Sequence, residues 1–432
     1  MSAPRQNFVK CPCCWERFPL SQTMWIAAHH ELKDDYFIDE QSGSKTEQKR
    51  FLPERFSPNC RAIDARGETC ERKFACPHCH VQIPSIYFDY RPKYVSIVGT
   101  SRAGKTYFLA ALLYRLTNIK FIEDYGLDWS FVMQRYISQN DTIEKNVNTL
   151  FGTGTQETIT SIASTLFGEL EKTITDSSEK NRKVALPFIY ELKQDSMRYA
   201  LCLYDHSGES FFYDKIGKAE NTFIGHILDN DVLFFLYDPT QTADCVKDYA
   251  ARHGRQIYRA DGTIDVETLV GAEPFIVQTG ETHKLSHNIF GEMAQFIREY
   301  SKPSDGLIDA HQYTKHVCII VTKCDAWEKC LSETTQKCLK EPPNSHTIDN
   351  VSKEVESWIG KHDSAFTNAV KSFVRHYTYI PVSATGRQPI KTIEGAFVHD
   401  TAVEPLHPYW VDAPFICALY DADKSVARSR EQ

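Results

Sequence analysis

Apolar positions gather into short β-prone runs separated by longer amphipathic or irregular stretches. Tyr94, Val95, Ile97 and Val98 form the first clear run, which ends at Gly99. A helical pattern follows from Thr106 through Leu116, so the local order is strand, glycine loop, helix. Further apolar runs lie at 187–192, 199–204, 232–237, 317–321 and 377–382. This alternation predicts an α/β fold with a mostly parallel sheet flanked by helices. The runs at 186–192 and 198–204 are separated by only a few polar residues and predict one antiparallel hairpin at the sheet edge.

Before the first run, Arg91-Pro92-Lys93 punctuates the chain. We place a boundary there, between a cysteine-rich module over residues 1–90 and an α/β domain over residues 91–425. Three intervals of that domain are long enough to hold inserts, near 121–185, 241–315 and 330–370. There is no internal repeat.

Length and composition fit this division. The chain has 432 residues, of which 42% are hydrophobic and 25% charged, enough to bury a large core. No apolar stretch approaches the ~20 residues a membrane helix needs. The first residues, Met1 to Gln6, lead into no apolar region, so no secretory signal is expected. A net charge of -8 argues against a surface built as a whole to hold nucleic acid.

The eight residues from Gly99 to Thr106 read G-T-S-R-A-G-K-T. They match the phosphate-loop pattern G-x-x-x-x-G-K-[ST] in full, with a strand before and a helix after. Glycines let the backbone fold so that its N–H groups surround a β-phosphate, and the helix N-terminus adds positive potential. The expected nucleotide contacts are Gly99, Ser101, Arg102, Ala103, Gly104, Lys105, Thr106 and Tyr107. Lys105 would reach the β- and γ-phosphates, and the Thr106 hydroxyl would bind Mg2+. Arg102 is either an internal finger on the phosphates or, the favoured reading, a residue facing solvent.

Three later motifs each close a predicted strand, where open α/β sheets place their ligands. Asp205-His206-Ser207-Gly208-Glu209 has the D-x-x-G form, Thr322-Lys323-Cys324-Asp325 follows the run at 317–321, and Ser383-Ala384-Thr385 follows the last. At these residues the chain resembles the Ras-like (TRAFAC-class) P-loop GTPases, whose base-reading motif is [NT]-K-x-D followed later by S-A. The resemblance implies that Asp205 holds Mg2+ through water and that the Gly208 N–H senses the γ-phosphate. It further implies that Asp325 accepts from guanine N1 and N2, that Lys323 packs over the base, and that Ser383 and Ala384 complete the base site. The long intervals, together with the cysteine-rich module and the closing segment 408–420, also resemble the bacterial double-GTPase proteins of conflict and signalling systems.

The chain departs from that pattern at Glu209, where Ras-like proteins usually carry the glutamine that orients the attacking water. A carboxylate there adds negative charge beside the γ-phosphate, which predicts slow hydrolysis. His206 is an alternative water-orienting group. The switch threonine stays open among Thr153, Thr155, Thr158, Thr160, Thr173 and Thr175.

Half of the fourteen cysteines lie before residue 80. With no export signal expected, metal ligation and buried thiols account for them better than disulfides do, and the expected compartment is cytoplasmic. Cys11-Pro12-Cys13-Cys14 and Cys76-Pro77-His78-Cys79 are two C-P-x-C knuckles, so Cys11, Cys14, Cys76 and Cys79 are the expected zinc ligands of a zinc-ribbon-like module. Cys60 and Cys70 would replace one knuckle, build a second site with Cys13 or His80, or sit as small hydrophobes.

These readings predict a GTP-binding protein that hydrolyses GTP slowly to GDP and phosphate with Mg2+. It would act as a switch or assembly component in a bacterial signalling or defence system. Partner proteins would dock on the inserts and zinc module. Two alternatives remain: a pseudo-GTPase scaffold that holds nucleotide without turnover, and a nucleic-acid-directed NTPase that uses its zinc ribbon.

Overall fold

The computed structural model describes residues 8–28, 48–64, 67–100, 102–117, 129–132, 139–152, 158–159, 172–175, 181–184, 187–194, 197–205, 225–252, 286–302, 305–391, 397–400 and 404–417. Two knuckle hairpins open the chain. The first joins β1 (Phe8–Lys10) to β2 (Arg17–Pro19), and the second joins β3 (Phe74–Ala75) to β4 (Gln82–Ile83).

The central sheet begins with β5 (Arg91–Gly99), whose second half is wholly buried, with apolar Val95 and Ile97 on one face and Val98 on the other. Its C-terminal end feeds α1 (Lys105–Thr117), which buries Phe108, Leu109, Leu112, Leu113 and Leu116. Each such side chain is worth about 1.5–3 kcal/mol of apolar burial. The sheet continues with β6 (Trp129–Val132), β7 (Phe188–Gln194) and β8 (Met197–Asp205). Next come the short helix α2 (Gly225–Asp229) and β9 (Val232–Tyr237). Then follow α3 (Ser286–Tyr300), β10 (Gln312–Val321) and α4 (Cys324–Trp327). The order ends with α5 (Ser345–His362), α6 (Ser364–Phe373) and β11 (Val374–Pro381).

Strand order across the sheet is β6-β7-β8-β5-β9-β10-β11, with Ile308–Asp309 also pairing on β10. The pairs β8/β5, β5/β9, β9/β10 and β10/β11 are parallel, whereas β6/β7 and β7/β8 are antiparallel. This is the mixed α/β, mostly parallel sheet that the apolar runs predict. The hairpin β7–β8 is not at the edge, because β6, from within the 121–185 interval, pairs outside it through Phe131 and Leu192.

The expected boundary at residues 90 and 91 falls where β5 starts, but packing runs across it. Arg91 and Pro92 are strand residues in register with Tyr199 and Ala200. Pro92 can sit there because it lies near the strand's first residues. Cys11, Trp15, Phe18, Cys76, Ile83 and Tyr87 belong to the same buried core as the sheet. A second, small cluster holds Trp25, Ala62, Cys70 and Phe74.

Candidate functional site

The expected phosphate loop starts where β5 must end. A Cβ on Gly99 would lie 2.8 Å from the Leu236 carbonyl oxygen of the neighbouring strand, so the close approach of β5 and β9 admits only glycine. Gly104 has φ +85° and Arg102 φ 61°. For arginine this left-handed conformation costs about 1–2 kcal/mol, and such strain gathers at functional loops. Lys105 Nζ donates to the Gly99 and Thr100 carbonyls at 3.0 and 2.8 Å, which folds the ammonium back across the loop. Ala103 is fully buried, Arg102 is exposed, and Thr106 and Tyr107 are half-buried. Ser101 lies outside the described residues.

Asp205 is the last residue of β8, buried, and in register with Ile97 of β5. It therefore stands beside the loop at the same sheet edge. Residues His206, Gly208 and Glu209 lie outside the described residues, as do Thr153, Thr155 and Thr160. Thr158 pairs with Asp400 in a small strand, and Thr173 and Thr175 lie in the hairpin strand Lys172–Thr175.

The residues expected to read a base converge from two strand ends. After β10, Thr322 N–H donates to the Tyr237 carbonyl at 2.9 Å, and Lys323 takes φ 55° before α4. After β11, the Ser383 hydroxyl donates to Asp325 Oδ1, joining motifs 58 residues apart, while the Gly386 N–H donates to Ser383 Oγ at 2.8 Å. Burial pushes the Asp325 carboxyl above its ordinary range, and the Ser383 hydroxyl opposes this. Ala384 is half-buried beside them.

Two residues here escaped the sequence reading. Lys323 Nζ forms a 2.6 Å ion pair with Asp238 Oδ2, and Asp238 is fully buried directly after β9. The same carboxylate accepts from Thr240 N–H and Oγ1 at 2.9 and 2.7 Å. Asp238 carried the same signal as the motifs, an acidic residue closing an apolar run, yet it matched no tetrapeptide. Gly386 has φ +76°, and a Cβ there would meet the His407 carbonyl oxygen at 2.0 Å. That contact exists because Ser383 and Tyr409 exchange backbone hydrogen bonds at 3.1 and 3.0 Å, so segment 404–412 backs the loop that begins at Ser383.

The four knuckle cysteines meet as expected. Cys11 Sγ lies 3.7 Å from Cys79 Sγ, and Cys14 Sγ lies 3.7 Å from Cys76 Sγ. A tetrahedron with ~2.3 Å zinc–sulphur bonds has edges of ~3.8 Å, so the spacing fits. The two turns repeat one geometry. Trp15 N–H donates to the Cys11 carbonyl and His80 N–H to the Cys76 carbonyl, with φ 62° and 55° at Trp15 and His80. Backbone N–H groups of Cys13 and His78 point at the Cys11 and Cys76 sulphurs, each at 3.3 Å, which favours thiolates. Burial pushes the Cys11 thiol up, but hydrogen bonds from Cys13, Cys76 and Cys79 outweigh burial and the Cys14 contact, and hold it at about 6. Cys60 is exposed and Cys70 packs in the small cluster; neither belongs to this set.

No protein-family model matches the chain, and no curated protein matches it. Among solved structures it is similar to the GTPase-like domain of S. cerevisiae Ski7 bound to GTP, at 13% identity and TM-score 0.23, over 68% of this chain and 43% of that one. The same domain bound to GDP and inorganic phosphate gives 13% and 0.23, over 68% and 44%. Sup35 complexed with GDP gives 13% and 0.22, over 70% and 40%. The chain spans less than half the length of each of these proteins. At such TM-scores the likeness carries no weight, and the strand order and site geometry stand on their own.

Proposed function

We propose that this chain binds a guanine nucleotide with Mg2+ at the C-terminal edge of its sheet and hydrolyses GTP slowly to GDP and phosphate. The observation that carries the reading is the Ser383–Asp325 hydrogen bond, at the sheet edge where β5 runs into the phosphate loop. A buried carboxylate with raised proton affinity gains most from a ligand that offers two donors side by side. Guanine does so through N1–H and the N2 amino group, and adenine does not.

In this reading the loop from Gly99 to Thr106 wraps the β-phosphate. Lys105 moves from its carbonyl partners to the phosphate oxygens, and its present hold on Gly99 and Thr100 keeps it within reach. Thr106 and Asp205 would hold Mg2+, which supplies charge neutralisation at the phosphates when bound. Gly208 would donate its N–H to the γ-phosphate, and Glu209 would stand near the attacking water. The negative charge of Glu209 is the reason to expect slow turnover. Lys323, positioned by Asp238, flanks the base.

Zinc on Cys11, Cys14, Cys76 and Cys79 would close a structural site with no open position, in a zinc-ribbon-like module. Partner proteins would dock on that module and on the inserts. In support, the exposed large hydrophobic residues among those described, Phe8, Leu20, Leu52 and Phe56, all lie on it. The resemblance to bacterial double-GTPases points to a multi-protein signalling or defence system.

The test compares GTP and ATP binding and turnover for the wild type, Lys105→Ala and Asp325→Ala. Lys105→Ala is expected to abolish turnover. Asp325→Ala is expected to weaken guanine binding about 10²–10⁴-fold, the worth of two hydrogen bonds to a charged group. Equal affinity for ATP and GTP in the wild type would sink the guanine assignment. Tight GTP binding with no turnover would convert the reading to a nucleotide-holding scaffold.

A further inference from the structure

A second group of metal-ligating side chains lies away from the knuckles. His316 and Cys318 are two residues apart on β10 and so share one face of the sheet. Cys417 reaches that face from the helical turn 413–417. One imidazole nitrogen and the two sulphurs all lie within 4.8 Å of one another. Thr378 of β11, in register with Cys318, supplies a hydroxyl 2.9 Å from His316 Nε2 and 3.8 Å from Cys417 Sγ.

We propose that His316, Cys318 and Cys417 bind a thiophilic divalent cation, Zn2+, as a second structural site. Two thiolates and a neutral imidazole match the ligand chemistry of zinc. Charge favours the choice as well. When the metal binds, each thiol loses one proton to solvent, and the two thiolates then cancel the 2+ charge. A neutral complex is what an interior beside the buried Cys318 and Thr378 can hold without an unpaired charge. Zinc bonds of ~2.0–2.3 Å set ligand separations near 3.5 Å. Closing the cluster thus takes a shift of about 1 Å, which a cysteine at the end of a short helical turn can supply. Water or the Thr378 hydroxyl fills the fourth position.

The site would pin the C-terminal turn to β10 and β11. The segment just before that turn carries Tyr409 and His407, whose backbones bond Ser383 and Thr385. Arg115 at the end of α1 grips Asp412 in the same segment at 2.9 Å. A metal at Cys417 would therefore stabilise the backing of the loop that begins at Ser383, independently of any bound nucleotide.

The experiment is metal analysis of the full chain purified without chelator, wild type against the double variant Cys318→Ala with Cys417→Ala. Zinc per chain is expected to fall by one in the variant. Unchanged zinc content would overturn the proposal. Should the variant not fold, zinc-edge X-ray absorption on the wild type decides. Two sites give a mean of about three sulphur neighbours per zinc plus a nitrogen contribution, whereas four sulphurs and no nitrogen would overturn it.

Discussion

The Tyr204 hydroxyl donates a 2.6 Å hydrogen bond to the Pro12 carbonyl, so the residue directly before Asp205 is held by the first cysteine knuckle. Trp15 packs on Tyr204 at 5.5 Å between ring centroids, and His226 stacks on its ring at 4.7 Å with 3° between planes. Tyr87 adds a tie to β5: its hydroxyl donates to the Lys10 carbonyl and lies 2.5 Å from the Tyr94 hydroxyl. The knuckles therefore form part of the wall behind β8.

Tyr204→Phe leaves the buried Pro12 carbonyl without this donor and is expected to cost about 1–3 kcal/mol. Urea denaturation measures it. Replacing Cys76 and Cys79 by serine is expected to lower both the urea midpoint and GDP affinity. Unchanged GDP affinity in that variant would mean that the knuckles do not support Asp205.

The Lys323–Asp238 pair is asymmetric, because Asp238 is fully buried while the Lys323 side chain is 23% exposed. Lys323→Met strands a buried carboxylate and is expected to cost about 3 kcal/mol. Asp238→Asn lets the ammonium turn to water and keeps the Thr240 contacts, so about 1 kcal/mol is expected. Equal losses in chemical denaturation would contradict this account of the pair.

Burial pushes the His226 imidazole down to about 3, and its Nδ1 lies 3.0 Å from the Ser96 hydroxyl. A depressed folded-state value means that this stabilisation is complete above the ordinary histidine value near 6.5. It is lost as pH falls from there towards 3, at about 1.4 kcal/mol for each pH unit. His226→Gln should be less stable at pH 7 yet show a shallower loss between pH 6.5 and 4. Acid release of any metal held by the knuckle thiolates would act in both proteins alike, so the difference between the two stability curves isolates the histidine.

Gly386→Ala places a methyl group against the His407 carbonyl in a backbone conformation that alanine rarely adopts. The loop from Ser383 must shift, so guanine preference should fall at least about tenfold while phosphate-loop contacts persist. Competition of GDP and ADP for the site would measure the ratio. A preserved ratio would mean that the loop does not touch the base.

The strands were legible because a fully buried parallel strand needs apolar residues on both faces, as Val232–Tyr237 has. The knuckles were legible because two ligands three residues apart on one tight turn are a local pattern. Asp238 was missed because its role depends on Lys323, 85 residues away, and no periodicity links the two. Cys318 read simply as part of a buried strand and His316 fell just before it, since their partner Cys417 comes from the far end of the chain.

By itself, then, the sequence determined the local elements: which runs become strands, where the glycine loop meets its helix, and which cysteines turn back on themselves. These depend on near neighbours, through side-chain alternation and backbone sterics. Tertiary structure alone decided that β6 covers the hairpin, that Lys323 finds Asp238, and that the cysteine module shares its core with the sheet beside Asp205. Such contacts, like that of Pro12 with Tyr204 192 residues later, arise only when long loops close to bury apolar surface in common, and that free energy belongs to the whole chain.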